Sequence, residues 1–190
     1  MRIAIILIII SLISISCTNN NLSEEQKITY TKMGNEIANK SFKMLSKNLN
    51  EHIKSGGVKQ AIGFCKINAI PLTNELSQQN NVKIKRVSHK NRNVDNKPNK
   101  KEELVIKEYL KLISESKQLN PKIIKDGNQI NYYAPIRLKQ ACLQCHGTPN
   151  KEIEKENYNL IKALYPNDKA IGFNEGDLRG IWSIHFKIEE

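Results

Sequence analysis

Along the first part of the chain, apolar side chains fall at multiples of four: Met33, Ile37, Leu45, Leu49 and Ile53, with Ala38 and Phe42 widening the stripe. That is a helical period. Ser23-Glu24-Glu25-Gln26 has the Ser-x-x-Gln spacing of a capping box, with two carboxylates where the helix dipole favours them, so the helix is predicted to start there. Gly56-Gly57 is predicted to end it. Val58, Ala61, Ile62, Cys65 and Ala69 then resume helical spacing, and Pro71 is expected to break or restart that second helix.

Strand periodicity appears at Val82-Lys83-Ile84-Lys85-Arg86, whose side chains alternate. Residues 90–101 are polar, rich in Asn and interrupted by Pro98, which predicts a loop. Glu102 to Lys117 returns to a helix through Val105, Tyr109, Leu112 and Ile113. Ile123-Ile124 and Ile130 to Tyr133 flank Asp126-Gly127-Asn128, a hairpin signal. Lys151 to Leu164 reads as a helix stopped by Pro166. Trp182, Ile184, Phe186 and Ile188 alternate with Ser183, His185 and Lys187, which predicts a half-buried last strand. Helices first, then strands with a helical insertion, point to an α+β domain around an antiparallel sheet. No fixed-period repeat is visible.

The N-terminus follows a different pattern. Arg2 precedes an apolar run from Ile3 to Ile13, the length of a signal-peptide core and too short for a comfortable bilayer crossing. The run ends at Ser14-Ile15-Ser16-Cys17, a small residue directly before a cysteine, which resembles the lipobox of bacterial lipoprotein precursors. An aliphatic residue is commonest where Ser14 stands, so plain secretion with a spare thiol at Cys17 is the competing reading. The organisation expected is a leader at 1–16, a polar tether at 17–23 starting with a lipidated Cys17, and one domain at 24–190 on the extracytoplasmic side of a membrane.

The remainder of the 190 residues is enough for one domain with a core. Hydrophobic residues at 39% and charged ones at 26% exclude a disordered or multi-span chain. The net charge of +11 comes from Lys far more than Arg and lacks interleaved aromatics, so it predicts a solvated basic surface and no nucleic-acid partner. Such a surface could steer an acidic redox partner.

The chemistry-bearing signal is Cys142-Leu143-Gln144-Cys145-His146. Cys-x-x-Cys-His is the signature of covalent c-type haem attachment: two thiols at this spacing reach the two vinyl groups on one porphyrin edge, and the His then ligates iron. A thioredoxin-like site would open a helix in a βαβ unit, and no such unit is predicted. Zinc would need further soft ligands nearby, and the other cysteines stand only at Cys17 and Cys65. A structural disulfide would leave His146 unexplained. No acid-base carboxylate pair, Ser/His/Asp order or phosphate loop is present, which disfavours a hydrolase or kinase. Cys65, taken alone on its apolar helix face, reads either as a small buried hydrophobe or as an iron ligand. Met44, His52, His89 and His185 are the competing distal ligands, each with an ordinary packing or surface reading. Arg86, Arg92 and Arg179 are candidates for haem propionates or for structural ion pairs, because guanidinium matches carboxylate as a fork.

A wider resemblance bears on these choices. Ala61-Ile62-Gly63-Phe64-Cys65, Arg86-Val87-Ser88 with Arg92-Asn93, Tyr133-Ala134-Pro135-Ile136 leading into Cys142 to Gly147, Tyr165-Pro166-Asn167-Asp168-Lys169-Ala170, and Gly176-Asp177-Leu178-Arg179-Gly180 occur in order over nearly all of residues 24–188. Together they resemble the exported single-haem c-type proteins with a PAS-like fold, a family long catalogued as a domain of unknown function and also found as the sensor region of bacterial kinases and chemoreceptors. The resemblance implies a cysteine ligand from the helix preceding the sheet, opposite the motif histidine, and Cys65 is the matching residue. Val94 departs from the family's proline after Arg-Asn. The function expected is one-electron transfer by a membrane-tethered protein carrying a single covalent haem c. The alternative is a redox or diatomic-gas sensor acting through a separate partner. An enzyme such as a peroxidase would need an open iron position, which a bound Cys65 blocks.

Overall fold

The computed structural model describes residues 21–188. The leader, Cys17 and most of the tether lie outside them. Among the described residues no helix is long and apolar enough to cross a membrane.

Helix α1 (Glu24–Gln79) starts on the predicted capping box, with the Ser23 hydroxyl accepting from Gln26 N and the Gln26 side chain accepting from Ser23 N. Gly56 and Gly57 leave helical geometry, and Gly57 takes φ 72°, a left-handed value that glycine adopts without a steric penalty. The chain doubles back at this point. His52 stacks on Phe64 at 4.0 Å, and at the other end residues 25–33 share a groove with residues 80–82. Two arms, 24–55 and 58–79, therefore form a helical hairpin.

Pro71 neither breaks nor restarts the second arm, which runs through it to Gln79. Proline removes one backbone donor inside a helix. Nearby side chains add local bonds, Asn68 Nδ2 to the Phe64 carbonyl and Thr73 Oγ1 to the Ala69 carbonyl, and Leu76, one turn on, is buried in the core. The stripe on the first arm is narrower than predicted: Ile37 and Ala38 are buried, whereas Met33 and Phe42 are exposed.

Strand β1 (Lys83–Val87) follows, then a loop with a 3₁₀ turn at Val94–Asn96. Helix α2 (Lys100–Ser114) begins inside the segment expected to be loop, because Asn99 and Glu102 form a second capping box. Strands β2 (Lys122–Asp126) and β3 (Gln129–Arg137) make the hairpin predicted at Asp126-Gly127, with Gly127 at φ 59°. After β3 come a 3₁₀ turn at Gln140–Cys142, the one-turn helix α3 (Leu143–His146), helix α4 (Lys155–Leu164) and strand β4 (Leu178–Lys187).

The four strands form one antiparallel sheet in the order β1-β4-β3-β2. β4 is thus a central strand and not the half-buried one its alternation suggests. Its apolar face, Trp182, Ile184 and Phe186, packs with Ile84, Ile130 and Tyr132 against α1. Its other face lies on the side of the sheet where Val87, Tyr133 and Ile181 meet Val105, Ile106 and Tyr109 of α2, so Ser183 is fully buried and His185 only partly exposed. A polar run covered on both faces by helices reads as amphipathic in sequence, because alternation does not reveal what packs on the polar side.

Helix α1 lies tight against the sheet at Gly34, where a Cβ would stand 2.2 Å from Tyr132 Cδ2. Gly34→Ala is expected to lose about 1–3 kcal/mol of stability through overpacking. A urea unfolding curve superimposable on wild type would show that helix and sheet can separate at no cost.

Candidate functional site

The one-turn helix α3 places Cys142, Cys145 and His146 between two small apolar clusters. Cys142 packs with Leu138, Ala170 and Phe173, and Cys145 with Ile62, Ile153, Ile161 and Tyr165. The motif turn thus joins the second arm of α1 and α4 on one side to the 170–173 loop on the other. Cys65, Cys142 and Cys145 are all free thiols. Burial pushes the Cys145 thiol up to about 11, against the opposing pull of Arg92, with Cys65 and Cys142 close enough to raise it further. Burial also raises Cys65, and the nearby guanidiniums of Arg86 and Arg92 work in the other direction.

His146 is held from three sides. Its Nδ1 donates to the Ala170 carbonyl at 2.8 Å, because a carbonyl only accepts, and that bond fixes the proton on Nδ1. The Phe173 amide donates to the His146 carbonyl at 3.0 Å, and the Phe173 ring meets the imidazole edge to face at 6.3 Å. Nε2 is left as an acceptor, with Arg179 Nε at 3.5 Å. Burial foremost, and then the cations Arg179, Arg92 and Arg86, hold the imidazole well below its ordinary pKa, so it stays neutral with a lone pair on Nε2.

The three arginines differ in what they already bond. Arg92 Nη2 donates to the Cys145 carbonyl, Asp168 and the Ala170 carbonyl, while its Nε is buried without a partner. Arg179 Nη1 donates to Ser88 Oγ and the Lys90 carbonyl. Arg86 lies 5.9 Å from the Trp182 ring centre, its cross-strand neighbour, and feels the charge of Cys65 and Tyr165. Among the described residues, Arg92–Asp168 is the one ion pair these arginines make. Burial, together with Arg92 and Arg86, brings Arg179 down to about 9. The cluster carries an excess of positive charge that an anionic group would relieve.

The fold thus brings together Cys65, Arg86, Arg92, Cys142, Cys145, His146 and Arg179, which span 115 positions of the chain. Of the competing ligands, Met44 and His185 lie apart from this cluster, whereas His89 borders it on the Phe173 ring that also meets His146. Met44 packs on the sheet side of α1. His52 stacks on Phe64, with Gln60 Nε2 at its Nδ1. His89 meets Phe173 edge on at 6.3 Å. His185 bonds Asn131 and Ser183 beside the buried Glu102. A groove of about 390 Å³ lined by Tyr30, Met33, Val82 and Phe186 shares no residue with the cluster. No group of three or more His, Cys, Asp or Glu suited to a bare metal ion occurs among the described residues.

A family model described as Tll0287-like matches residues 14–186. The chain belongs to the Tll0287-like family. Among solved structures it is similar to the crystal structure of the cyanobacterial heme-protein Tll0287, with a TM-score of 0.60 and 20% identity over 84% of this chain and 96% of that one. At that identity the likeness establishes a shared α+β fold. No curated protein matches. For a Tll0287-like chain, the sequence pattern assigns no separate role to Asp168, Ala170 or Phe173, which grip His146 and its motif. Their only sequence signal is that the Tyr165 to Ala170 segment recurs in the ordered motif series.

Proposed function

We propose that this Tll0287-like protein binds one haem covalently and carries single electrons on the extracytoplasmic side of a membrane, tethered through lipid on Cys17. The observation that supports it best is the His146 tautomer: with Nδ1 tied to Ala170, Nε2 is left as an acceptor beside Arg179, in the region where both motif thiols and Cys65 lie close together.

The residues present fit such a group. Cys142 and Cys145 would supply the two thioether sulfurs, and His146 Nε2 and Cys65 Sγ would hold the iron. Two propionates and a thiolate would bring negative charge to a cluster of three arginines in which only Arg92 has an acidic partner among the described residues, and the unpartnered Arg92 Nε is one donor they could satisfy. Bound haem supplies a reversible ferric/ferrous couple. The chain's own residues decide how that couple is used. Cys65 as thiolate favours the ferric state, so the potential is low. With Cys65 and His146 both holding the iron, no position on it would be open to peroxide or substrate, which favours carriage over catalysis. Ile62, Ile153, Ile161 and Phe173, all buried, exclude water and reduce solvent rearrangement when charge changes.

An optical potentiometric titration of the haem-loaded protein tests the function. One reversible one-electron wave at negative potential is expected, with no consumption of added peroxide. Steady peroxide turnover by the oxidised protein would make it an enzyme and overturn the carrier reading.

A further inference from the structure

One nitrogen of Arg92 serves three acceptors. Nη2 lies 2.6 Å from the Cys145 carbonyl, 3.0 Å from Asp168 Oδ2 and 3.2 Å from the Ala170 carbonyl. Asp168 turns its other oxygen, Oδ1, to the Ala170 amide at 2.8 Å. Both side chains are nearly buried, at 12% and 6% exposure. Ala170 is therefore gripped at its amide by Asp168 and at its carbonyl by Arg92. That carbonyl is also the acceptor of His146 Nδ1. Arg92 further anchors the motif turn itself through Cys145, so one side chain fixes both the histidine's backbone and the group that orients its ring.

We propose that the Arg92–Asp168 pair is a positioning device for His146, clamping the Ala170 carbonyl against Nδ1 so that the imidazole ring, and with it Nε2, is held in one orientation. The inference rests on His146 being the iron ligand, as proposed above. The physical reason is competition at one oxygen. A carbonyl already accepting from a guanidinium has less electron density for the imidazole N–H, and the ligand donates less to the metal than it would to a free acceptor. Breaking a nearly buried ion pair on one side also leaves the other charge unpaired, so either partner's loss loosens the same loop.

The test uses haem-loaded wild type, Arg92→Gln, Asp168→Asn and Arg92→Lys, read by low-temperature electron paramagnetic resonance and by midpoint potential. A pure charge effect moves the potential down in Arg92→Gln and up in Asp168→Asn and leaves one set of g values. The clamp predicts that both variants split the single low-spin signal into two or more sets, as the ring samples several orientations. Arg92→Lys keeps the charge but not the reach of the fork, so it shows the same splitting with a potential near wild type. One wild-type set of g values in all loaded variants would overturn the proposal. If Asp168→Asn, at a residue with no propionate role, takes up no haem while wild type does, a folded circular dichroism spectrum supports the clamp. An unfolded one overturns it, making the pair a general stability element. A wild-type spectrum lacking coupling to an imidazole nitrogen would instead refute the haem ligation, whatever the pair does.

Discussion

A chain in which Cys142 and Cys145 are both replaced by alanine is expected to mature without covalent haem: acid-acetone extraction strips all colour, and the intact mass equals that of the polypeptide alone. Each single variant keeps one thioether sulfur and retains only part of the bound group. The effect is large because nothing else substitutes for these thiols. Cys65, the remaining cysteine among the described residues, is on another element and has another role, and a haem held by His146 and Cys65 alone is in exchange with solvent and extractant. The fold itself should survive. Both thiols are only partly buried and pack at the edges of small clusters, so the alanines leave small cavities and cost about 1 kcal/mol each. Circular dichroism of the double variant should therefore match wild type. Full retention of colour after extraction would contradict the assignment of these sulfurs.

The second large effect is expected at Cys65. Cys65→Ser removes the thiolate and leaves a hydroxyl, which binds ferric iron far more weakly, so the low-spin thiolate signature in the electron paramagnetic resonance spectrum disappears. The midpoint potential rises, because the ferric state loses its anionic ligand. Arg86 and Arg92 lie near enough to act on the Cys65 thiol, and with their counter-charge removed they favour the reduced state further. Exchanging the half-buried thiol for a hydroxyl costs about 1–2 kcal/mol of stability, which keeps the variant folded and the spectrum interpretable. Identical spectra in wild type and Cys65→Ser would exclude Cys65 as the ligand. Any other residue offered in its place must come from near the cluster, which removes Met44 and His185 and leaves His89, edge on to Phe173.

How much of this could be read beforehand depended on how local each cause was. The capping box at Ser23 and the Asp126-Gly127 turn are decided within four residues, and both stand where the pattern placed them. Pro71 is different. Whether a proline ends a helix depends on what surrounding contacts gain by continuing it, and Leu76, one turn beyond, is buried in the core against the sheet. β4 hides its centrality for a similar reason, since Ser183 and His185 look like a solvent face until α2 covers them with Asn131 and Glu102 as partners.

The site divides along the same line. Cys142, Cys145 and His146 are contiguous and carry their chemistry in their spacing. The ligand reading of Cys65 rests on the ordered resemblance, because its own helix face reads equally well as packing. Arg92 was legible as a cation fit for a carboxylate, but not as the side chain that joins the Cys145 carbonyl, 53 residues away, to the Ala170 carbonyl, 78 residues away. Such a bond is set by the close of the fold, and no window of sequence contains both ends.

The central claim is that iron porphyrin is bonded to this polypeptide. Its most direct test is the intact mass and visible spectrum of the full chain produced in a host competent for c-type maturation. The account predicts a red protein heavier than its polypeptide by one haem, with the label mapping to the peptide holding Cys142 and Cys145. A colourless product at the bare polypeptide mass would contradict it.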